Sequence, residues 1–470
     1  MTTSTNPVGS VLLVWLARTA APLVRMGVVV VIARWLGTAG LGEYQILVAN
    51  VTVFETIASL GLWPLLVRCV VRTPAAGYRY LLHGGVLTVA ASVVLMPVMY
   101  WCSVGYDPVT RVGTAILALT LAPGVVIVVA EAVLVARGAP QMVAWLRVVE
   151  NAALVGLVTA AVLLGHGLVA VTVAMLVTRI GCALAAFWVA RRACPVSAAR
   201  LERRFFRELV MQVPVFIGMA VVWALYSRVD VLVLSRLATV EAVGLYSAGQ
   251  RIYTMAQEVP ASVLSVVLPM LAAAHAESPA RFSALVRQTS RYFLLLSVPV
   301  AVGATLVGAP LLVGLFGAEF APAAAPFTIL MWALVPCCWM KLLGQALIAS
   351  DRQRTDLAIN LVVLVVTTAL LVALVPAGGA TGAAWATLGS VTLALGLRLS
   401  ALWHAGVRVG FDGRVRAIAG AAAAMAGAVW LVQAQPVWLA ISVGAVAYAA
   451  AVVGLGGVSL EEVASVRGSR

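Results

Sequence analysis

Long apolar runs separated by short polar breaks recur along the whole chain. Hydrophobic residues make up 63% of the sequence and charged residues 10%, whereas soluble domains contain roughly 25% charged residues. The runs have the length of about 20 residues that a helix needs to cross the hydrocarbon core. Transmembrane strands would be shorter and would alternate in polarity. The sequence therefore predicts an all-α polytopic membrane protein.

The apolar runs predict about fourteen transmembrane helices. No basic segment precedes the first run, so we expect no cleaved signal peptide. The predicted spans are 11–33, 44–66, 79–101, 112–136, 141–165, 167–190, 209–234, 246–270, 289–316, 325–349, 356–376, 381–404, 415–433 and 436–456.

Basic residues are distributed unevenly between the two sides of this arrangement. Of the 31 Lys and Arg residues, 20 fall on the side of both termini, 3 on the opposite side and 8 inside spans. Cytoplasmic loops of membrane proteins are enriched in Arg and Lys. The bias predicts an even number of spans with both termini cytoplasmic. It also explains the net charge of +14 without a nucleic-acid partner.

A short pattern occurs twice, in residues 34–44 and 236–246. Each segment begins with Arg-Leu or Arg-Trp-Leu and ends with Gly-x-Tyr, and the equivalent Arg, Gly and Tyr residues are 202 positions apart. Six spans separate the two copies, so both halves enter the membrane in the same direction. This predicts two six-helix lobes related by a pseudo-two-fold axis along the membrane normal. Chance similarity of two short turns is the alternative.

The predicted lobes divide the chain into four parts. They are an N-terminal lobe (1–190), a basic cytoplasmic linker (191–208), a C-terminal lobe (209–404), and a C-terminal helix pair with its cytoplasmic tail (405–470). The linker is either an amphipathic helix on the membrane surface or a solvated connection.

Several segments resemble the polysaccharide and O-antigen flippases of the multidrug/oligosaccharidyl-lipid/polysaccharide exporter superfamily. The residues that carry the resemblance are ARWLGTAGLGEYQILVANVTVFETIASLGLWPLLVR (33–68), RVDVLVLSRLATVEAVGLYSAGQRIYTMAQEVPASVLSVVLPML (228–271), LFGAEF (315–320) and LVPAGGATGAAWATLGSV (374–391).

The resemblance implies a flippase of a bacterial inner membrane. It implies that an undecaprenyl-pyrophosphate-linked oligosaccharide or polysaccharide precursor is moved from the cytoplasmic to the periplasmic leaflet by alternating access. Fourteen spans fit the subgroup with two extra C-terminal helices. The expected partners are the lipid-linked glycan, membrane lipids, and the polysaccharide polymerase and export machinery.

Ionisable side chains inside spans are the candidates for substrate binding. Such residues are costly in the membrane and usually face a cavity or a partner. Basic ones exceed acidic ones by three, and an anionic group would supply the missing charge. A pyrophosphate suits arginine, whose guanidinium binds phosphate bidentately. The basic residues are Arg18, Arg25, Arg147, Arg179, Arg228, Arg251, Lys341 and Arg398, and the acidic ones are Glu55, Glu131, Glu150, Asp230 and Glu258.

We predict a cationic substrate lumen formed by Arg18, Arg25, Arg251 and Lys341. Arg18 and Arg25 are seven residues apart, and so share a face of the first span. The alternative is that both reach the cytoplasmic headgroups. The family pattern of basic residues in the first and eighth spans adds Arg251, and Lys341 shares a polar face with Gln345.

Four further residues are predicted to couple or gate transport: Glu55, Arg228, Asp230 and Glu258. Glu55 either holds Arg25, binds a coupling proton, or forms a permanent ion pair. Glu258 shares a face with Arg251 at a spacing of seven. The resemblance implies a gating or packing role for Asp230.

The remaining charged residues inside spans are not predicted to bind substrate or to gate transport. Arg147, Glu150 and Asn151 have the spacing of neighbours on one helix face, so a local structural pair is favoured. Glu131, Arg179 and Arg398 are left without a role.

No enzymatic activity, cofactor or metal site is predicted. The six cysteines show no ligand spacing, and no nucleotide-binding or nucleophile motif occurs. Energy would come from a gradient of H⁺ or Na⁺, from the membrane potential, or from consumption of the product on the far side. The alternatives to a flippase are a multidrug extruder of the same superfamily, whose cationic substrates basic spans would repel, and a membrane glycan polymerase or ligase.

Overall fold

The structure of the protein is a computed structural model. It describes residues 7–194, 202–407, 414–433 and 435–457, but not the side chains of residues 7–23, 215 and 219. Within these ranges the regular elements are helices, with short 3₁₀ segments at Pro74–Ala76 and Ala318–Ala323. The α-helices are α1 (Pro7–Ala58), α2 (Leu62–Arg72), α3 (Gly77–Cys102), α4 (Pro108–Ala118), α5 (Leu121–Ala136), α6 (Pro140–Leu163), α7 (Gly167–Ala193), α8 (Arg203–Leu237), α9 (Val240–Ala256), α10 (Glu258–Glu277), α11 (Pro279–Phe316), α12 (Ala324–Ala349), α13 (Gln353–His404), α14 (Val415–Leu431) and α15 (Val437–Gly454). The all-α class is confirmed.

The chain forms two compact units, residues 1–232 and 233–470. In the first unit, helices α2, α3, α5 and α7 pack around a core that includes Leu62, Leu66 and Val133. In the second, α12 packs against α11 and α13. The predicted lobe and linker boundaries stay predictions.

The C-terminal helices α14 and α15 pack on α11 in the second unit. Met425 of α14 and Val307 of α11 belong to their shared apolar core. The Tyr448 hydroxyl of α15 donates a hydrogen bond of 2.9 Å to the Leu295 carbonyl of α11. A tyrosine this deep in an apolar interface needs such a partner.

Two helices, α1 and α13, each run for 52 residues and each contain one non-helical glycine. Gly37 in α1 has φ 69° and ψ −166°, and Gly379 in α13 has φ 49° and ψ −126°. Only glycine adopts such angles readily. Both glycines lie between spans that the sequence separates, 11–33 from 44–66 and 356–376 from 381–404.

Helix α13 reverses direction at Gly379. Asp356 and Arg398 are 42 residues apart, which would separate them by about 63 Å on a straight helix. Their side chains nevertheless meet at 2.8 Å. The two halves of α13 are therefore antiparallel, and the pair forms a helical hairpin.

The two copies of the repeated pattern break their helices at equivalent positions. Gly37 interrupts α1, and Thr239, 202 positions later, is the N-cap of α9. The Thr239 hydroxyl accepts a hydrogen bond of 3.3 Å from the Ala242 amide, which satisfies one of the free amides at that helix start. Tyr44 and Tyr246 are both buried.

The predicted number of fourteen spans is not confirmed. In the described residues, ten helices are long and apolar enough to cross a membrane when α1 and α13 are each counted once, or eleven if α4 and α5 form one span. Those two helices meet at a bend of 41° within the predicted span 112–136. Helix α14 has 17 residues, about 26 Å at 1.5 Å per residue, which is short of a hydrocarbon core of about 30 Å.

The predicted span 246–270 is interrupted at Gln257, between α9 and α10. Pro260 follows three residues later and has no amide hydrogen to bond to the Ala256 carbonyl. Gln257 itself keeps helical angles, φ −75° and ψ −15°, and Val240–Glu277 counts as one candidate span, so the shared face of Arg251 and Glu258 stays a prediction.

Candidate functional site: two intramembrane polar clusters

Five charged side chains form a cluster inside the first unit. This first polar cluster consists of Glu55 (α1), Glu131 (α5), Arg147 and Glu150 (α6), and Arg179 (α7). Arg147 lies between two carboxylates: its Nε is 2.7 Å from Glu131 Oε1, and it donates a hydrogen bond of 3.1 Å to Glu150 Oε2. The predicted local pairing of Arg147 with Glu150 is therefore seen, but Arg147 also reaches a second helix.

Arg179 joins the other side of the first polar cluster. It donates to both carboxylate oxygens of Glu55, at 3.1 and 3.2 Å, in the bidentate geometry that makes such pairs strong. Its Nε is 3.5 Å from Glu150 Oε1. Glu150 is thus shared by the two guanidiniums, and the cluster connects four helices.

The first polar cluster contains three carboxylates and two guanidiniums among the described residues. The carboxylates are enclosed, with Glu131 at 9%, Glu150 at 11% and Glu55 at 16% side-chain exposure. Gly124 leaves room for one of them, because a Cβ there would lie 2.7 Å from Glu55 Oε1. With every group ionised, the five side chains carry one excess negative charge.

A smaller cluster lies inside the second unit, between the two halves of α13. This second polar cluster consists of Asp356, Asn360 and Arg398. The Arg398 Nε donates to Asp356 Oδ1 at 2.8 Å, and a terminal nitrogen of Arg398 donates to Asn360 Oδ1 at 2.8 Å. The Asn360 amide donates to Asp356 Oδ2 at 3.0 Å. Arg398 is 5% exposed, and its charge is balanced by one carboxylate.

The two clusters occupy equivalent places in the two halves of the sequence. Asn151 and Asn360 are 209 residues apart, as are Arg147 and Asp356, and each pair lies on the fifth span of its half. Arg179 and Arg398 lie on the sixth spans. Ion pairs therefore join α6 to α7 in the first unit and the two halves of α13 in the second, and of the two clusters the first carries the excess charge.

Two of the predicted lumen residues, Arg18 and Arg25, lie on α1 in the first unit. The side chain of Arg18 lies outside the described residues. The side chain of Arg25 is exposed. Glu55 binds Arg179, so the ion-pair alternative for Glu55 has a partner that the sequence analysis left without a role.

The predicted gating residues Arg228 and Asp230 are half-buried on α8. Asp230 Oδ1 accepts a hydrogen bond of 2.8 Å from the Val231 amide. This contact is local and assigns neither residue a role in transport.

The predicted site residues of the second unit lie on three helices: Arg251 on α9, Glu258 at the start of α10, and Lys341 on α12. Lys341 on α12 donates a hydrogen bond of 2.7 Å to the side-chain oxygen of Gln257, the residue at which α9 and α10 separate. Arg251 is half-buried on α9, and Glu258 is exposed at the start of α10. Gln257, Asp356 and Asn360 are polar residues that the sequence analysis did not select.

A family model described as "Polysaccharide biosynthesis protein" matches residues 8–275, more than half of the chain. A comparison with curated protein sequences finds no match.

Three solved structures show the fold that the chain adopts. "Lipid II flippase MurJ, inward closed conformation" has a TM-score of 0.77 at 14% identity, over 94% of this chain and 98% of that one. An inward-facing "multidrug resistance MATE family transporter of the MOP superfamily" has a TM-score of 0.64 at 13% identity, over 82% and 94%. A MOP superfamily transporter from Pyrococcus furiosus has a TM-score of 0.56 at 15% identity, over 84% and 93%. The chain has the fold of this superfamily.

Proposed function

Because the chain belongs to the polysaccharide biosynthesis protein family, we propose that it is a flippase for an undecaprenyl-pyrophosphate-linked oligosaccharide or polysaccharide precursor. It moves this lipid from the cytoplasmic to the periplasmic leaflet of a bacterial inner membrane by alternating access, with both termini cytoplasmic. The family match is the observation that carries the proposal. The fold supports it, since a lipid II flippase has the same architecture.

The chemistry of the substrate explains why the spans contain more basic than acidic residues. A pyrophosphate carries several negative charges on oxygens that a guanidinium binds in pairs. We assign this role to Arg18, Arg25, Arg251 and Lys341. The partners are the lipid-linked glycan, membrane lipids, and the polymerase and export machinery that receive the product.

Two other functions fit this membrane fold less well. Multidrug transporters share the fold, but an excess of basic residues in the spans would repel cationic drugs. A glycan polymerase or ligase would need a large loop to hold its reacting groups. The described connections are short, such as residues 137–139 between α5 and α6 and 164–166 between α6 and α7.

Depletion of the protein tests the proposed function directly. The lipid-linked glycans of the depleted cells are extracted, and their leaflet is determined with a membrane-impermeant glycan-modifying reagent. A flippase predicts that one undecaprenyl-pyrophosphate-linked intermediate accumulates on the cytoplasmic side. If no such intermediate accumulates, the proposal is wrong.

The variant Arg25→Ala is expected to abolish complementation of the depleted strain without lowering the amount of protein in the membrane. The reason is that a substrate pyrophosphate would lose a bidentate partner inside the bilayer. Complementation and immunoblotting of membranes measure the two quantities. Arg111→Ala is the control, because Arg111 is exposed and its side chain donates, within the described residues, one hydrogen bond of 3.1 Å to the Tyr100 hydroxyl. Full activity of Arg25→Ala would remove Arg25 from the site.

We propose that the first polar cluster is the site where an ion couples to transport, because the cluster carries one excess negative charge. A buried carboxylate without its own cation is costly, and a proton or Na⁺ would remove that cost. Glu131 is the candidate acceptor. It is the most enclosed carboxylate of the cluster and forms an ion pair with Arg147 alone among the described residues, whereas Glu150 contacts both arginines.

The variant Glu131→Gln is therefore expected to make transport insensitive to the driving gradient. The protein is reconstituted in vesicles with a lipid-linked glycan, and turnover is measured with an imposed pH gradient, Na⁺ gradient or neither. Wild-type protein should respond to one gradient, and the variant to neither. A wild-type response in the variant would place coupling elsewhere. Asn360→Ala in the charge-balanced second cluster is the matched control and should keep the response.

A further inference from the structure

An apolar groove of about 420 Å³ runs along the surface of the first unit. Its walls come from α3, α5 and α7, and they contain almost no polar atoms. The lining residues are Leu81, Leu82, Gly85, Val86, Val89, Ala90, Val126, Val129 and Phe187. None of the residues assigned to transport lines this groove.

Gly85 keeps the groove open. A Cβ built at Gly85 would meet no atom within 4 Å, so the space above this position is empty rather than filled by a neighbouring side chain. Along α3 the lining extends from Leu81 to Ala90, about 14 Å at 1.5 Å per residue. This is close to one leaflet of a hydrocarbon core that is about 30 Å thick. The groove therefore has the length of an acyl chain that lies in one leaflet.

Arginines follow the lining residues of α5 and α7 beyond one end of the groove. Arg191 is four residues after Phe187 on α7, one helical turn beyond the groove wall. It is exposed, and no hydrogen bond or ion pair joins its side chain to the described residues. Arg137 follows α5 by one residue and donates to the carbonyl oxygens of Ala193 and Pro74, at 3.1 and 3.2 Å.

The charge at this end of the groove is not balanced by nearby carboxylates. Arg79 pairs with Glu202, but Arg137 binds carbonyl oxygens and Arg192 lies over the Trp188 ring at 3.5 Å. With Arg191, three guanidiniums have no carboxylate partner in the part of the chain that the structure describes. An anion that also has a long apolar chain would complement both features.

We propose that the groove is a binding site for one anionic glycerophospholipid of the surrounding leaflet. Its acyl chain lies along α3 between α5 and α7, and its phosphate binds Arg191 with Arg137 beside it. A free phosphate would leave the apolar walls uncovered. A zwitterionic phospholipid would bring an ammonium group towards the arginines, whereas a headgroup with net negative charge gains about 1 kcal/mol per arginine near the surface.

Native mass spectrometry of the full chain tests this site. The protein is purified in detergent, exchanged into mixed micelles with equal amounts of phosphatidylglycerol and phosphatidylcholine, and the retained lipids are counted. We expect wild-type protein to retain phosphatidylglycerol preferentially. Arg191→Gln should reduce its retention about five-fold, the effect of one surface arginine. Gly85→Phe, which fills the groove, should release both lipids.

Two matched variants control for charge and for bulk. Arg287→Gln removes an exposed arginine of α11 in the second unit. Gly156→Phe adds the same ring on α6, where a Cβ would also meet nothing within 4 Å. Both should retain phosphatidylglycerol like the wild type. Equal retention of the two lipids by the wild type, or unchanged retention in both Arg191→Gln and Gly85→Phe, would show non-specific annular lipid only and overturn the proposal. A monodisperse gel-filtration profile establishes that each variant is folded.

Discussion

Replacing Arg179 by glutamine is expected to lower the free energy of unfolding by about 3–5 kcal/mol, the range found when one partner of a buried ion pair is removed. Arg179 donates to both oxygens of Glu55 and lies 3.5 Å from Glu150. The substitution leaves these two carboxylates with Arg147 as the remaining guanidinium of the cluster. Thermal unfolding of the detergent-solubilised protein, followed by tryptophan fluorescence, measures the loss.

A double substitution separates the charge effect from a packing effect. Glu55→Gln/Arg179→Gln removes one charge of each sign and keeps the side-chain volumes, so it should recover part of the stability that Arg179→Gln loses. Arg204→Gln is the control, since the Arg204 side chain is 92% exposed beside Glu208 and such pairs contribute little. The prediction fails if Arg179→Gln unfolds at the wild-type temperature.

Replacing Arg398 by glutamine should destabilise the second unit by a similar amount, about 3–5 kcal/mol. Arg398 supplies one donor to Asp356 and another to Asn360, both at 2.8 Å. Its loss leaves the Asp356 carboxylate in an interior of low polarity with the Asn360 amide as its remaining partner. The same unfolding measurement applies.

Two further variants distinguish the role of the guanidinium from that of its charge. Arg398→Lys keeps the charge but lacks the planar fork that reaches two acceptors, so it should recover only part of the stability. Asp356→Asn/Arg398→Gln removes both charges and should be more stable than Arg398→Gln. Arg354→Gln, at an exposed position of the same helix, should behave like the wild type. Wild-type stability of Arg398→Gln would show that the cluster does not hold the hairpin together.

The membrane class and the helix breaks at Gly37 and Gly379 follow from hydropathy and from residue type. A glycine between two apolar runs is a local signal, because it marks where the chain permits an unusual backbone angle. The break at Gln257 is different. The hydropathy of 246–270 predicts one continuous span even though the run contains Arg251 and Glu258, and it does not register that Pro260 lacks the amide hydrogen that would bind the Ala256 carbonyl.

The ion pairs within one helix were predictable, and those between helices were not. Arg147 and Glu150 are three residues apart, so helical spacing reveals them. Glu55 and Arg179 are separated by 124 residues, and their pairing depends on how α1 and α7 pack. Asp356 lies at the first residue of its predicted span, close to Arg354, where hydropathy gives no sign that the carboxylate is enclosed. The roles of Arg18, Arg25, Arg251 and Lys341 stay predictions.

The hairpin of α13 has consequences for how the protein is made. An arginine at the centre of a transmembrane helix costs about 2.5–3.5 kcal/mol during insertion, and Arg398, which lies nearer the end of the second half of α13, carries a smaller penalty if that half enters the bilayer alone. The reversal at Gly379 places Asp356 and Asn360 beside Arg398 without a connecting loop. The two halves together therefore present a neutral pair to the bilayer, and the cost of inserting Arg398 falls when they insert as one hairpin.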